Sequence, residues 1–181
     1  MPATSIMRSG AWSWRLRSGS AKACVVDDFA LTPAERALFT ALNRRGVPFL
    51  IVGMGAAILE GAPIATQDLD VWFSAIDDER IRLAAKDAGG FWISGFGMQP
   101  PAFGGDELSR LDVVLTADGL EDFETEYAGA IELEIDRVGV HVLPLERVIA
   151  SKRAAGRAKD AAQLPALEAT LLARRSSPAE E

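Results

Sequence analysis

The tetrapeptide Asp68-Leu69-Asp70-Val71 restricts the fold of this chain more than any other stretch. In an extended strand, residues two apart project to the same face. Leu69 and Val71 then face a core, while Asp68 and Asp70 face the other way. Two carboxylates about 7 Å apart along a strand repel one another unless a cation sits between them. A third acid, Asp112, interrupts the apolar run Leu111 to Leu115. An ionised carboxylate inside a buried strand is costly unless it is paired or metal-bound. Three acids from two strands can converge on one or two divalent ions.

The segments around these acids alternate between strand and helix. Thr32-Pro33-Ala34-Glu35 is a capping box with proline at the first helical position. Ala34, Leu38, Ala41 and Leu42 share one helical face, and Gly46 ends that helix. Val47–Val52 reads as a buried strand. It runs into Gly53-Met54-Gly55, then a short helix from Ala56 to Glu60 stopped by Gly61. Leu69–Phe73 is the second strand and Asp77–Ala88 the next helix. Residues 94–106, rich in glycine and proline, read as a mobile loop. Leu111–Leu115 is a third strand and Leu120–Tyr127 a helix. Residues 131–142 alternate apolar and polar on either side of Asp136-Arg137, the pattern of a hairpin. Residues 145–174 are helical, with breaks expected at Gly156 and Pro165. The pattern predicts an α+β, two-layer fold: a mixed sheet with helices mainly on one face and C-terminal helices.

Composition narrows the chemistry. One cysteine, Cys24, allows no disulfide within the chain and argues against a cysteine zinc site, and one histidine, His141, leaves almost no material for serine–histidine catalysis or a histidine-rich metal site. Any metal must be held by carboxylates, which favours Mg2+ or Mn2+. The net charge of −7 makes the body a poor general nucleic-acid surface. No apolar run approaches the roughly 20 residues of a membrane span, so no membrane partner and a cytoplasmic location are expected. Residues 1–30 read as a disordered extension, 31–174 as one domain and 175–181 as a loose tail.

A Gly-x-Gly turn between a strand and a helix lets backbone N–H groups approach phosphate oxygens. Alone it is a weak signal. Here Asp68-x-Asp70 opens the next strand fifteen residues after Gly53, and the combination is stronger. The string from Phe49 to Val71, Phe-Leu-Ile-Val-Gly-Met-Gly-Ala-Ala-Ile-Leu-Glu-Gly-Ala-Pro-Ile-Ala-Thr-Gln-Asp-Leu-Asp-Val, resembles the core of the DNA polymerase beta-like nucleotidyltransferase superfamily. The likeness is to its small bacterial stand-alone members, related to abortive-infection and toxin–antitoxin systems. Leu145-Glu-Arg-Val-Ile-Ala-Ser-Lys-Arg-Ala-Ala-Gly-Arg-Ala-Lys-Asp resembles a helical segment of the same group. The resemblance covers roughly residues 33–172.

It implies catalytic and metal-ligating roles for Asp68, Asp70 and Asp112. It implies nucleotide-binding roles for Gly53, Met54, Gly55, Thr66, Lys152 and Lys159, with Arg157 a further basic position. The implied reaction moves a nucleoside monophosphate from a nucleoside triphosphate to an acceptor hydroxyl. The acceptor could be RNA, protein or a small molecule, and loop 94–106 could close over it. The family turn usually reads Gly-Gly or Gly-Ser, and an arginine often stands where Ile64 is. Met54 and Ile64 therefore motivate a second reading, a non-catalytic regulator or antitoxin-like partner protein. Blander roles stay open: turn-forming aspartates at a strand end, a structural ion pair at Asp112, close packing at Gly55, and a solvated helix face for Lys152, Arg157 and Lys159. His141 falls in the outward register of its strand. Trp72 and Trp92 suit the core or a pocket wall.

Overall fold

The computed structural model describes residues 29–96 and 99–176. Helix α1 (Pro33–Arg45) starts on the expected capping box. The Thr32 hydroxyl accepts from the Glu35 N–H at 3.2 Å, and the Glu35 carboxylate accepts from the Thr32 N–H at 2.9 Å. Gly46, with φ of 63°, ends it in the left-handed conformation that glycine adopts without steric cost. Then follow β1 (Phe49–Ile51), α2 (Gly53–Leu59), β2 (Leu69–Phe73), α3 (Glu79–Asp87), β3 (Phe91–Ile93), β4 (Ala102–Gly104), a 3₁₀ turn (Asp106–Leu108) and β5 (Leu111–Val114). The chain continues through α4 (Phe123–Ala128), β6 (Ile131–Ile135), β7 (Val138–Val142), α5 (Leu145–Ala155) and α6 (Ala158–Ser176).

Five strands form a mixed sheet in the order β5-β2-β1-β7-β6. β2 runs antiparallel to β1 and parallel to β5; β7 runs parallel to β1 and antiparallel to β6. The period-two pattern decides its faces. Leu69, Val71 and Phe73 are buried on one side. There α2 lies against Leu69 and Ile51, and Phe39 of α1 stacks on Phe49 at 5.0 Å. Asp70 and Trp72 take the other side. α4 covers the Trp72 end, with Phe123 edge-on at 5.7 Å, and leaves the Asp70 end open. The β6–β7 hairpin turns at Asp136 (φ 51°) and Arg137 (φ 68°), the pair of left-handed residues that a two-residue hairpin loop requires.

Five expectations are corrected. Residues 94–106 do not form one long loop. Ala102–Gly104 pairs with Phe91–Ile93 as a two-stranded sheet, because Trp92 and Phe103 pack on each other at 5.0 Å and on Phe73. α2 begins at Gly53, three residues before Ala56. Pro165 does not break α6: it and Ala161, whose carbonyl it leaves without a helical donor, both face solvent. β5 is an edge strand and Asp112 is exposed on it, so the burial cost expected for that carboxylate does not arise. Phe29, placed by sequence in the extension, is buried beneath the Arg110 guanidinium. The remainder of the expected extension, residues 1–28, and residues 177–181 of the tail lie outside the described residues. Among those described, no helix is long and apolar enough to cross a membrane.

α6 packs along α5 and is fastened to the end of α2 by an Arg174–Glu60 ion pair. Burial pushes the Glu60 carboxyl above its ordinary range, and Arg174 works against that shift. The burial cost falls on the ionised form, so it appears as pH rises above the unfolded value. Arg174→Ala is therefore expected to cost roughly 1–2 kcal/mol near pH 7, a modest figure because the guanidinium is half exposed. The loss should shrink toward pH 4, as urea denaturation at the two pH values would show.

Candidate functional site

The open end of the sheet faces the corner between α5 and α6 across a cavity of about 400 Å³. Its two walls carry opposite charge. β2, β5 and the segments beside them supply Asp68, Asp70, Asp112 and Asp118; the helical corner supplies Lys152, Arg157 and Lys159.

Asp70 is the centre of the acidic wall. Parallel pairing of β2 with β5 places it opposite Asp112, so the two side chains leave the sheet on the same face. Asp68 precedes β2 and is exposed. Thr66 fixes it locally: the Thr66 hydroxyl donates to the Asp68 carbonyl at 3.2 Å and accepts from the Asp68 N–H at 3.4 Å. Burial, then Asp112, then Asp68 push the half-buried Asp70 carboxyl above the usual carboxylate range; Lys152 and Lys159 pull it back.

Gly53 explains how Asp70 fits. It opens α2 with φ of 62°, a conformation L side chains rarely adopt. A Cβ there would stand 2.1 Å from Asp70 Oδ2, so the carboxylate fills the space a side chain would need. Met54 is buried and lines the cavity. Gly55 does not line it. A Cβ on Gly55 would meet Leu69 Cδ1 at 2.6 Å, and its part is to let α2 lie close on β2.

On the basic wall the three cations are not equivalent. Lys159 is exposed. Lys152 is only 11% exposed in its side chain and donates to Asp160 Oδ1 at 2.8 Å and Gln163 Oε1 at 2.9 Å. Arg157 donates to the second Asp160 oxygen at 2.5 Å. Burial alone would raise the Asp160 carboxyl, but these two partners hold it below its ordinary value. In the sequence Asp160 only closes the Leu145–Asp160 motif and carries no expected role, and neither Asp118 nor Gln163 stands out. The available signal was a lone acid beside three basic positions, with a glycine between Lys152 and Asp160.

The other singled-out residues lie elsewhere. His141 stacks on Tyr127 at 4.3 Å and its ring nitrogen meets the Tyr127 hydroxyl at 3.2 Å. Burial lowers its pKa, which keeps it neutral near pH 7. Trp72 is core beneath α4, and Trp92 belongs to the β3–β4 cluster. Neither borders the cavity. Ile64 packs against the core.

The donor chemistry fits a hard divalent cation. All candidate ligands are carboxylates, and a cation would relieve the repulsion that Asp112 and Asp68 exert on Asp70. Among the described residues, no three carboxylate, imidazole or thiol groups already converge as a ready-made metal site. Oxygens from another molecule would have to complete the shell, as magnesium commonly requires.

The architecture has counterparts among solved proteins. The crystal structure of ANT(2")-Ia in complex with adenylyl-2"-tobramycin superposes with a TM-score of 0.52 at 19% identity, over 77% of this chain and 88% of that one. The solution structure of the antibiotic-resistance factor ANT(2'')-Ia gives 0.51 at 16%, over 79% and 90%. The chain shares its fold with ANT(2")-Ia. It is the mixed-sheet, nucleotidyltransferase-like architecture expected from the sequence. No protein-family model matches the chain, and no curated protein matches it in sequence.

Two substitutions probe the acidic wall. Gly53→Ala combines an unfavourable φ with a clash on Asp70 and is expected to cost on the order of 1–3 kcal/mol; thermal melting would measure it. Asp70→Asn should do the reverse. The folded carboxyl titrates above its unfolded value, so ionisation penalises the folded state as pH rises through that interval. The asparagine variant is expected to melt about 2–4 °C higher than the parent at pH 7. The two curves should converge near pH 4.

Proposed function

We propose that this protein transfers a nucleoside monophosphate from a nucleoside triphosphate to a hydroxyl on a small acceptor. The observation that carries this reading is the divided cavity: Asp70 beside Asp112 over Gly53 on one wall, lysines on the other. A triphosphate needs both, because its reacting end must be held among acids while its leaving end is matched by cations. In the transfer, the acceptor oxygen bonds to the α-phosphorus. The bond from that phosphorus to the β-bridging oxygen breaks, and pyrophosphate departs. Asp112, exposed at the sheet edge, is positioned to accept the proton of the acceptor hydroxyl. Lys152 and Lys159 match the charge of the leaving pyrophosphate. Met54 and the backbone at Gly53 border the phosphates, and Thr66 holds the Asp68 turn. Asp68, Asp70 and Asp112 would hold Mg2+ or Mn2+, which when bound neutralises triphosphate charge and lowers the pKa of the acceptor hydroxyl.

The acceptor is read from charge. Exposed Asp68, Asp112 and Asp118, on a chain of net charge −7, disfavour the phosphates of RNA and favour an amine-bearing small molecule. ANT(2")-Ia, which shares the fold, has been crystallised in complex with adenylyl-2"-tobramycin. Met54 supports a second reading, a regulator or antitoxin-like partner that keeps the fold and binds nucleotide without turnover.

The test incubates the protein with each α-labelled triphosphate, magnesium or manganese, and three acceptor pools: amine-bearing small molecules, total RNA and total protein. Label is expected in the first pool, with release of pyrophosphate. Asp70→Asn should lose transfer by on the order of 10³-fold or more, as removal of a group that acts on transition-state charge does. Nucleotide binding should fall far less. Metal-dependent nucleotide binding with no label in any pool establishes the regulator reading instead. Met54→Gly should raise transfer if the turn merely impairs it.

A further inference from the structure

The α5–α6 corner contains a side-chain arrangement that nucleotide binding alone does not explain. Asp160 is 1% exposed in its side chain, and each of its oxygens takes a cation: Lys152 on Oδ1 and Arg157 on Oδ2. The corner is built to bring them together. α5 ends at Gly156, in the left-handed region with φ of 60°, and α6 restarts two residues later. Lys152 thus sits in the last turn of one helix and Asp160 in the first turn of the next. Each occupies the helix end whose dipole favours its charge.

The two cations differ in what the clamp leaves them. Lys152 is held by Asp160 and Gln163, which use two of the three ammonium N–H groups and fix the direction of the third. Lys152 lines the same cavity as Asp70. Arg157 is 61% exposed in its side chain and contributes to the corner mainly by closing the far side of Asp160. A free lysine on a four-carbon stem samples many rotamers, and fixing one costs entropy on every binding event. Here that cost is met during folding.

We propose that Asp160 is a positioning residue: with Gln163, it presents the Lys152 ammonium to the β- and γ-phosphates of the bound nucleotide. Arg157 completes the clamp on the other Asp160 oxygen. This rests on the nucleotidyl-transfer reading above, which assigns phosphates to the basic wall. It goes further by separating the residue that touches phosphate from the residue that aims it. It also makes preference for a triphosphate over a monophosphate depend on a buried aspartate whose own oxygens are taken by Lys152 and Arg157.

The test is calorimetric, using α,β-methylene-ATP and AMP with magnesium on the full chain. The parent should bind the triphosphate analogue more tightly than AMP. Asp160→Asn should reduce that ratio by about tenfold, the scale of one charge-assisted hydrogen bond, and leave AMP affinity within about twofold. Asp160→Glu should restore part of the ratio. A purely structural part for Asp160 would lower the melting temperature and weaken both ligands alike, and that result overturns the proposal. Because Asp160→Asn also loosens the corner, Gln163→Leu serves as a variant that leaves the ion pairs in place. It should lower the ratio about threefold with little change in melting, as expected for one lost hydrogen bond from the ammonium to a neutral acceptor. An unchanged ratio in Gln163→Leu together with a folded, unchanged Asp160→Asn sinks the proposal while leaving nucleotide binding intact. A parent that shows no preference for the triphosphate analogue removes the transfer reading itself, and the role of Asp160 with it.

Discussion

The parallel pairing of β2 with β5 sets Asp70 beside Asp112, and this enforced proximity of like charges is the constraint around which the rest of the molecule is arranged. Backbone hydrogen bonds and a buried face hold it in place. Leu69, Val71 and Leu111 supply that face. Gly55 allows α2 to approach close enough to seal it. A slip of one residue in either strand would carry the acids into the core and the leucines into solvent, which fixes the register strongly. The repulsion is the cost of a surface that attracts positive charge, and it is borne at the end of the sheet that α4 leaves uncovered.

The opposite wall resolves its electrostatics differently. Where the acids of the sheet are left in mutual repulsion, the charges at the α5–α6 corner are closed into a hydrogen-bonded group around Asp160. A buried carboxylate with a cation on each oxygen is satisfied and rigid, whereas one left unpaired would be expensive. One wall of the cavity therefore carries uncompensated negative charge, and the other holds its buried carboxylate between two cations. The division follows the secondary structure: strands project neighbouring side chains in parallel, while a helix–helix corner lets chain-distant residues converge.

The difference also explains what could be read from the sequence. The acidic wall was legible because strand geometry has a short, strict period, and Asp68, Asp70 and their apolar neighbours show it within four residues. The β6–β7 hairpin was legible for the same reason. The exposure of Asp112 was not, because strand order decides which strand is an edge, and that order emerges only in the folded sheet. The β3–β4 ladder was hidden because glycine and proline dominate the composition of residues 94–106. What orders that stretch is contact between Trp92, Phe103 and Phe73, residues separated along the chain. Asp160 escaped assignment because its partners meet it only after the chain reverses at Gly156. Pro165 misled because its tolerance depends on facing water.

The contact between Gly53 and Asp70 makes two positions seventeen residues apart sterically interdependent. The oxygen of one stands where the first side-chain atom of the other would be. A lineage that retains the carboxylate has no room for anything but glycine at 53. One that gives up the carboxylate for a small residue releases that restriction on space, though the backbone angle still favours glycine. Related chains should therefore divide into two kinds. Some should keep both residues. Others should have lost the acid first and varied at the turn only afterwards, so that a side chain at position 53 would mark a chain in which the acid at 70 has been given up.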